Sequence, residues 1–319
     1  MIRLVKWLLG ALALATGGLV AFTWRTARKV EVALPPHGRF LDIAGTRLHY
    51  VEAGEGPPIL LIHGLGGQLL NFAGDGLAPL GRDHRVIALD RPGSGYSTRP
   101  FTASAALGAQ AATVAGFIRA LGLQRPLVVG HSLGGALALA LALDHPDSVG
   151  GLALLAPLTR VQDRVPAPFR RLVVRSRILR LIMAWTIATP LAIRHREEAL
   201  DTVFGPDRVP RDFPMGNGGL LSLRPSAFFG ASTDLVAINR DLPGLVARFG
   251  SIKVPVGILF GTADRVLDHA ANGIAMRDVL PDLDLELIEG AGHMIPVTAP
   301  DRTLAFIRRM AKRVASAGR

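Results

Sequence analysis

The sequence predicts an α/β chain: a mostly parallel eight-stranded sheet with helices on both faces. Three observations predict it. Short apolar runs bounded by glycine, proline or charge recur along the chain, helix-like stretches separate most of them, and glycine or polar residues follow them at one end. Alternating strand and helix is what a parallel crossover sheet requires, and a strand buried on both faces reads as a continuous apolar run. With 319 residues, 49% of them hydrophobic, the chain can bury one main core with an inserted lobe and is too apolar to remain unfolded.

The elements follow in order. "RFLDI" and "RLHYVEAG" read as a strand pair turning at Ala44-Gly45, and "PILLIHG", "RVIALD", "PLVVGHS", "GGLALLAP", "PVGILFG" and "LDLELIEGAG" as six further strands. Helical composition covers 103–121, 133–143, 269–280 and 301–314. Ahead of them, "WLLGALALATGGLVAFTW" is an uncharged run of 18 residues, Trp7 to Trp24, flanked by Arg3 and Lys6 and by Arg25, Arg28 and Lys29. That length just spans a bilayer, and tryptophans at both ends suit its two interfaces. A secretory signal cleaved near Ala13-Leu14-Ala15 is the competing reading; the apolar run continues past that site, which favours an uncleaved anchor in residues 1–30. Basic residues nearly balance across the segment, and the large following domain inclines the expectation to a domain outside the cytoplasm. A linker, "VEVALPPHGR", leads into the core.

Composition removes several classes of function. There is no cysteine, so disulfides, thiolate metal sites and cysteine nucleophiles are excluded. The formal charge of +11 is carried mostly by arginine, yet no zinc-finger spacing, aromatic-basic RNA motif or phosphate-binding loop accompanies it, which argues against nucleic acid as partner.

The chemistry gathers where strands end. "VVGHSLGG" places Ser132 between Gly130 and Gly134 on a turn of almost no length between a strand and a helix. Small flanking residues let the two elements approach closely and hold the serine outward in a strained conformation, with the Leu133 backbone N–H aimed at any developing oxyanion. A serine nucleophile needs a base and a carboxylate that orients it. Asp264 in "GTADRVLD" and His293 in "GAGHMIP" occupy later post-strand loops; Asp268 competes for the acid, and the place three after the glycine favours Asp264. His63, His131 and Asp90 read as loop-holding residues, and Ser94 and Ser97 lack the elbow.

Taken together, His63-Gly64, "GHSLGG", "GTAD" and "GAGH" resemble the α/β-hydrolase superfamily over about residues 38 to 315. The resemblance implies Ser132 as nucleophile, His293 as general base and acid, Asp264 as the carboxylate, and the N–H groups of Leu65 and Leu133 as the oxyanion hole, with no cofactor and no metal. It also implies a helical cap after the sixth strand, read as 158–245, between core segments 31–157 and 246–319. The first half of that stretch carries nine arginines and one aspartate among bulky apolar residues, so a basic helix there could rest on anionic lipid or simply face solvent.

Related haloalkane dehalogenases and epoxide hydrolases use an aspartate where this chain has Ser132, and such epoxide enzymes need cap tyrosines; here Tyr50 and Tyr96 both lie outside the cap. Serine, histidine and aspartate instead imply hydrolysis of carboxylic esters, lipid esters included, through an acyl-serine. Carbon-carbon bond hydrolases and cofactor-free haloperoxidase or perhydrolase relatives share the triad, although the former commonly carry tryptophan where this chain has Met294. A membrane-anchored binding protein with an inactive site is the non-enzymatic alternative.

Overall fold

The structure is a computed structural model describing residues 1–73, 77–162 and 165–317. Part of the basic stretch, Asp163 and Arg164, and the last two residues lie outside the described residues. The strands are β1 (Arg39–Ile43), β2 (Thr46–Ala53), β3 (Pro58–Ile62), β4 (Arg85–Leu89), β5 (Leu127–His131), β6 (Gly151–Leu155), β7 (Val256–Gly261) and β8 (Asp284–Ile288). The helices longer than one turn are α1 (Ile2–Ala33), α2 (Leu107–Ala120), α3 (Leu133–Asp144), α4 (Arg177–Trp185), α5 (Ala188–Arg194), α6 (Arg196–Phe204), α7 (Pro225–Val246) and α8 (Pro300–Ala317).

One sheet contains all eight strands in the order β1-β2-β4-β3-β5-β6-β7-β8. The hairpin β1–β2 and the β2–β4 pair are antiparallel, and every pairing from β4 through β8 is parallel. The central strands β5 and β6 are buried at every residue, which explains why they read as unbroken apolar runs. Helix α3 is buried along almost its whole length, so its alanines and leucines need no polar face. In contrast α8 is amphipathic and sets Phe306, Ile307 and Met310 into the core.

Two expected helices are shorter than their composition suggests. The 103–121 stretch becomes helical only at Leu107, after a turn closed by Ala103 N–H on the Pro100 carbonyl. The 269–280 stretch splits at Gly273 into a four-residue helix and a 3-10 turn, Ile274–Asp278. The linker is shorter too. Helix α1 runs on to Ala33 and stops ahead of Pro35 and Pro36, which cannot continue it.

Between β6 and β7 the chain leaves the sheet and forms α4 to α7 with their connecting turns. The last turns of α1 pack against this region: Thr23, Ala27 and Val30 are buried, Thr23 Oγ1 donates to the Thr186 carbonyl at 3.3 Å, and Arg224 pairs with Glu31 at 3.2 Å. The basic stretch does not form a basic face on α4. Arg180 points inward, 2% exposed, and donates to Ser232 Oγ, Thr233 Oγ1 and the Val174 carbonyl, while Ile178, Leu181, Ile182 and Trp185 face outward.

Candidate active site

Ser132 sits between β5 and α3 with φ 54° and ψ −119°, a left-handed conformation that a non-glycine residue adopts only when its surroundings enforce it. The glycines around it explain how. A Cβ on Gly130 would lie 2.4 Å from the Gly134 carbonyl oxygen, and one on Gly134 would lie 2.2 Å from the Ile62 carbonyl oxygen. Backbone bonds fix the turn on three sides: Ser132 N–H donates to the Leu155 carbonyl at 3.0 Å, and the Ser132 carbonyl accepts from Gly135 at 2.9 Å and Leu158 at 3.0 Å.

His293 follows β8, and its Nδ1 faces Asp264 Oδ2 at 2.6 Å. The Asp264 carboxylate is fixed in turn, because Oδ1 accepts the N–H groups of Val266 at 2.7 Å and Leu267 at 2.9 Å. Asp268 is engaged elsewhere: its carboxylate caps the short helix after β7 by accepting from Ala271 N–H at 2.7 Å. A carboxylate on Nδ1 turns the other imidazole nitrogen, Nε2, into the one free to take a proton. Ser132 and His293 line the same cavity, but no hydrogen bond joins Ser132 Oγ to His293 among the described residues. Such contacts commonly tighten only when substrate binds.

Leu133 is the first residue of α3, so its N–H has no carbonyl within the helix to serve. The loop carrying Leu65 lies against the serine, since a Cβ on Gly64 would come within 2.9 Å of Ser132 Cβ.

His131 and His63, beside the serine, hold loops. His131 Nε2 lies 3.0 Å from the His293 carbonyl, which can only accept, so Nε2 carries the proton. Burial and the nearby His293 lower the His131 pKa to about 3 and keep it neutral. His63 Nδ1 donates to the Gly64 carbonyl at 2.8 Å while its Nε2 accepts the Arg91 backbone N–H at 3.0 Å; burial pushes its pKa well below the ordinary value. Asp90 organises the loop behind, accepting from Leu69 N–H at 2.7 Å and Tyr96 N–H at 2.8 Å and meeting His49 Nδ1 at 2.7 Å.

Sequence reasoning missed Arg91 and Asp234. The fully buried Arg91 guanidinium donates to the carbonyls of His63 and Gly64, each at 3.0 Å, and to Asp234 Oδ2 on α7 at 2.7 Å. Asp234 also takes Arg99 at 2.7 Å. An arginine in a loop next to "PGSGYS" gives no sign that it is buried, and its partner lies 143 positions away. Asp207, between α6 and α7, is a third missed residue; it accepts the Gly292 N–H at 2.8 Å and so steadies the loop of His293.

Above Ser132 and His293 opens a cavity of about 920 Å³ whose walls come from the segment between β6 and β7, including Leu158, Phe169, Met183, Phe213, Phe228 and Leu235. A cavity of that size with few polar groups suits a largely apolar ligand. Among the described residues no group of acidic, histidine or cysteine side chains could hold a metal ion.

Comparison with known proteins bears on the fold. Residues 57–179 match the family described as alpha/beta hydrolase fold. An uncharacterized protein of Mycobacterium bovis is 30% identical over 300 residues, covering 89% of this chain and 84% of that protein. The dihydrolipoyllysine-residue acetyltransferase component of the acetoin cleaving system of Cupriavidus necator is 41% identical over 121 residues, 38% of this chain, and the match spans only 32% of that protein. Among solved structures, a membrane phospholipase A described as a bacterial virulence factor is similar over 99% of both chains, with TM-score 0.63 and 26% identity. Sheet order, the serine turn and these similarities together establish that the chain belongs to the alpha/beta hydrolase family.

Proposed function

We propose that the protein is a serine hydrolase of carboxylic esters, lipid esters in particular, held to a membrane by α1. One observation carries the reading: Ser132 is held in a strained turn at the base of a large apolar cavity that it shares with an imidazole already bound to a carboxylate. In the reaction His293 Nε2 takes the Ser132 hydroxyl proton as Oγ attacks the ester carbonyl carbon. The N–H groups of Leu65 and Leu133 receive the negative oxygen of the tetrahedral intermediate. Collapse breaks the ester C–O bond, the leaving alkoxide takes the proton from His293, and the acyl group stays on Ser132. Water, deprotonated by His293, then attacks the acyl carbon, the bond from that carbon to Ser132 Oγ breaks as Oγ takes the proton back from His293, and the acid leaves.

Residues 158–245 act as a cap that forms the acyl pocket. The likeness to a membrane phospholipase A over the whole chain, N-terminal helix included, supports both the lipid substrate and the anchor. In this reading the catalytic domain lies outside the cytoplasm, which protease accessibility in intact cells tests. For the chemistry, the full-length protein and its Ser132→Ala variant are compared on chromogenic esters of rising acyl length. Serine-dependent turnover that favours long acyl chains is expected; equal inactivity of two folded proteins would return the choice to carbon-carbon cleavage or a binding role.

A further inference from the structure

The anchor is partly sheathed by the protein itself. Residues 2–18 of α1 are exposed, whereas on one face of its remainder Thr23, Ala27 and Val30 are buried and Leu19 and Thr26 half-buried, where the helix packs against α4, α5 and the turn Gly219–Leu223. The uncharged part that stands free is therefore residues 7–18, about 18 Å of helix at 1.5 Å per residue. A hydrocarbon layer is about 30 Å thick. The free part cannot span it. Placing all of Trp7–Trp24 in the apolar layer carries whatever packs around Leu19 to Thr23 into the membrane surface.

What packs there is the end of α4. Thr23 Oγ1 donates to the carbonyl of Thr186, the residue directly after that helix. The outward face of α4 is apolar at helical spacing: Ile178, Leu181, Ile182 and Trp185 are 70%, 43%, 54% and 38% exposed. Positions i, i+3, i+4 and i+7 form one stripe. A water-soluble surface helix would turn this stripe inward and its cations outward, yet here Arg180 is buried with Ala184 while the stripe faces out and, of the helix's cations, only Arg177 is exposed. Exposed cations flank the stripe, with Arg175 and Arg177 ahead of it and Arg25, Arg28 and Lys29 where α1 leaves the apolar run. Charge of this sign at that depth complements anionic lipid headgroups. Met183 of the same helix lines the cavity above Ser132.

We propose that α4 is a second membrane attachment, lying in the bilayer surface beside α1 with Ile178, Leu181, Ile182 and Trp185 among the acyl chains, so that the cavity takes its lipid substrate directly from the bilayer. This rests on α1 being an anchor and on the ester hydrolase reading. The chain has three tryptophans, Trp7, Trp24 and Trp185, so a full-length Trp7→Phe/Trp24→Phe protein reports on α4 alone. It is reconstituted into vesicles of phosphatidylcholine and phosphatidylglycerol, with and without brominated acyl chains. Trp185 emission should fall about twofold in the brominated vesicles, and equally so in a Ser132→Ala background, which separates attachment from chemistry. Unquenched emission from vesicle-bound protein overturns the proposal; unquenched but blue-shifted emission would assign the stripe to a second copy of the chain and overturn it as well. Leu181→Glu/Ile182→Glu should lower hydrolysis of vesicle lipid about tenfold while leaving a short soluble ester unaffected. Equal loss on both substrates would contradict a role in membrane attachment.

Discussion

The guanidinium of Arg91 lies 2.7 Å from the carboxylate of Asp234, and the same guanidinium holds the carbonyls of His63 and Gly64. A buried ion pair thus pins the loop that carries Leu65 to α7, in the segment inserted between β6 and β7. Burial of such a pair does little for net stability, but breaking it leaves an uncompensated charge.

Asp234→Ala should accordingly destabilise the protein by about 3–5 kcal/mol, since Arg91 and Arg99 both lose their carboxylate. Thermal unfolding checks this. Arg91→Lys separates positioning from stability: an ammonium cannot span two carbonyls and a carboxylate in the fork geometry of arginine. The expected result is a fall in kcat of about 10²-fold with KM little changed, the signature of a displaced oxyanion loop.

Strain at Ser132 is testable by two substitutions that both remove the hydroxyl. At φ 54° glycine carries no Cβ penalty and alanine does. Ser132→Gly should be more stable than Ser132→Ala by about 1 kcal/mol, measured by denaturant midpoint. Equal stability would mean that the turn is relaxed.

Two buried neutral histidines set a pH dependence. His131, lowered to about 3, and His63, lowered well below the ordinary value, both by burial first, bind no proton in the folded protein over the range where the unfolded chain does. Stability is therefore full above the ordinary value of about 6.5 and falls as pH drops below it, by about 1.4 kcal/mol per pH unit for each histidine that stays neutral in the fold, which for His131 continues toward pH 3. Unfolding temperatures in detergent should decline below about pH 6.5, and His131→Gln should flatten that slope by one histidine's share.

Asp264→Asn keeps the shape of the His293 contact and removes its charge. Activity should fall about 10⁴-fold with little change in unfolding temperature, because the imidazole then presents the wrong tautomer.

Much of this was legible in the chain because local pattern and tertiary role coincide. The run "PLVVGHS" is a buried strand followed by a turn that glycine alone permits, and each post-strand loop carries its polar residue to the same sheet edge. Signals failed where tertiary contact decides. Arg180 sits in a sequence that reads as a basic amphipathic helix, but hydroxyls on α7 pull it inward and invert the face. The Arg91–Asp234 pair joins residues with no local relation. Gly273 breaks a stretch of helical composition at φ −115°, ψ −65° where a Cβ would meet the His269 carbonyl at 2.8 Å.

The proposed chemistry depends on Ser132 as nucleophile. The most direct test is to treat the full-length protein with a fluorophosphonate and locate the adduct by peptide mass spectrometry, beside the Ser132→Ala variant. One phosphonate on Ser132 is expected, blocked by prior incubation with a long-chain ester, and none on the variant. A folded protein that stays unlabelled, or one labelled equally with and without Ser132, would contradict it.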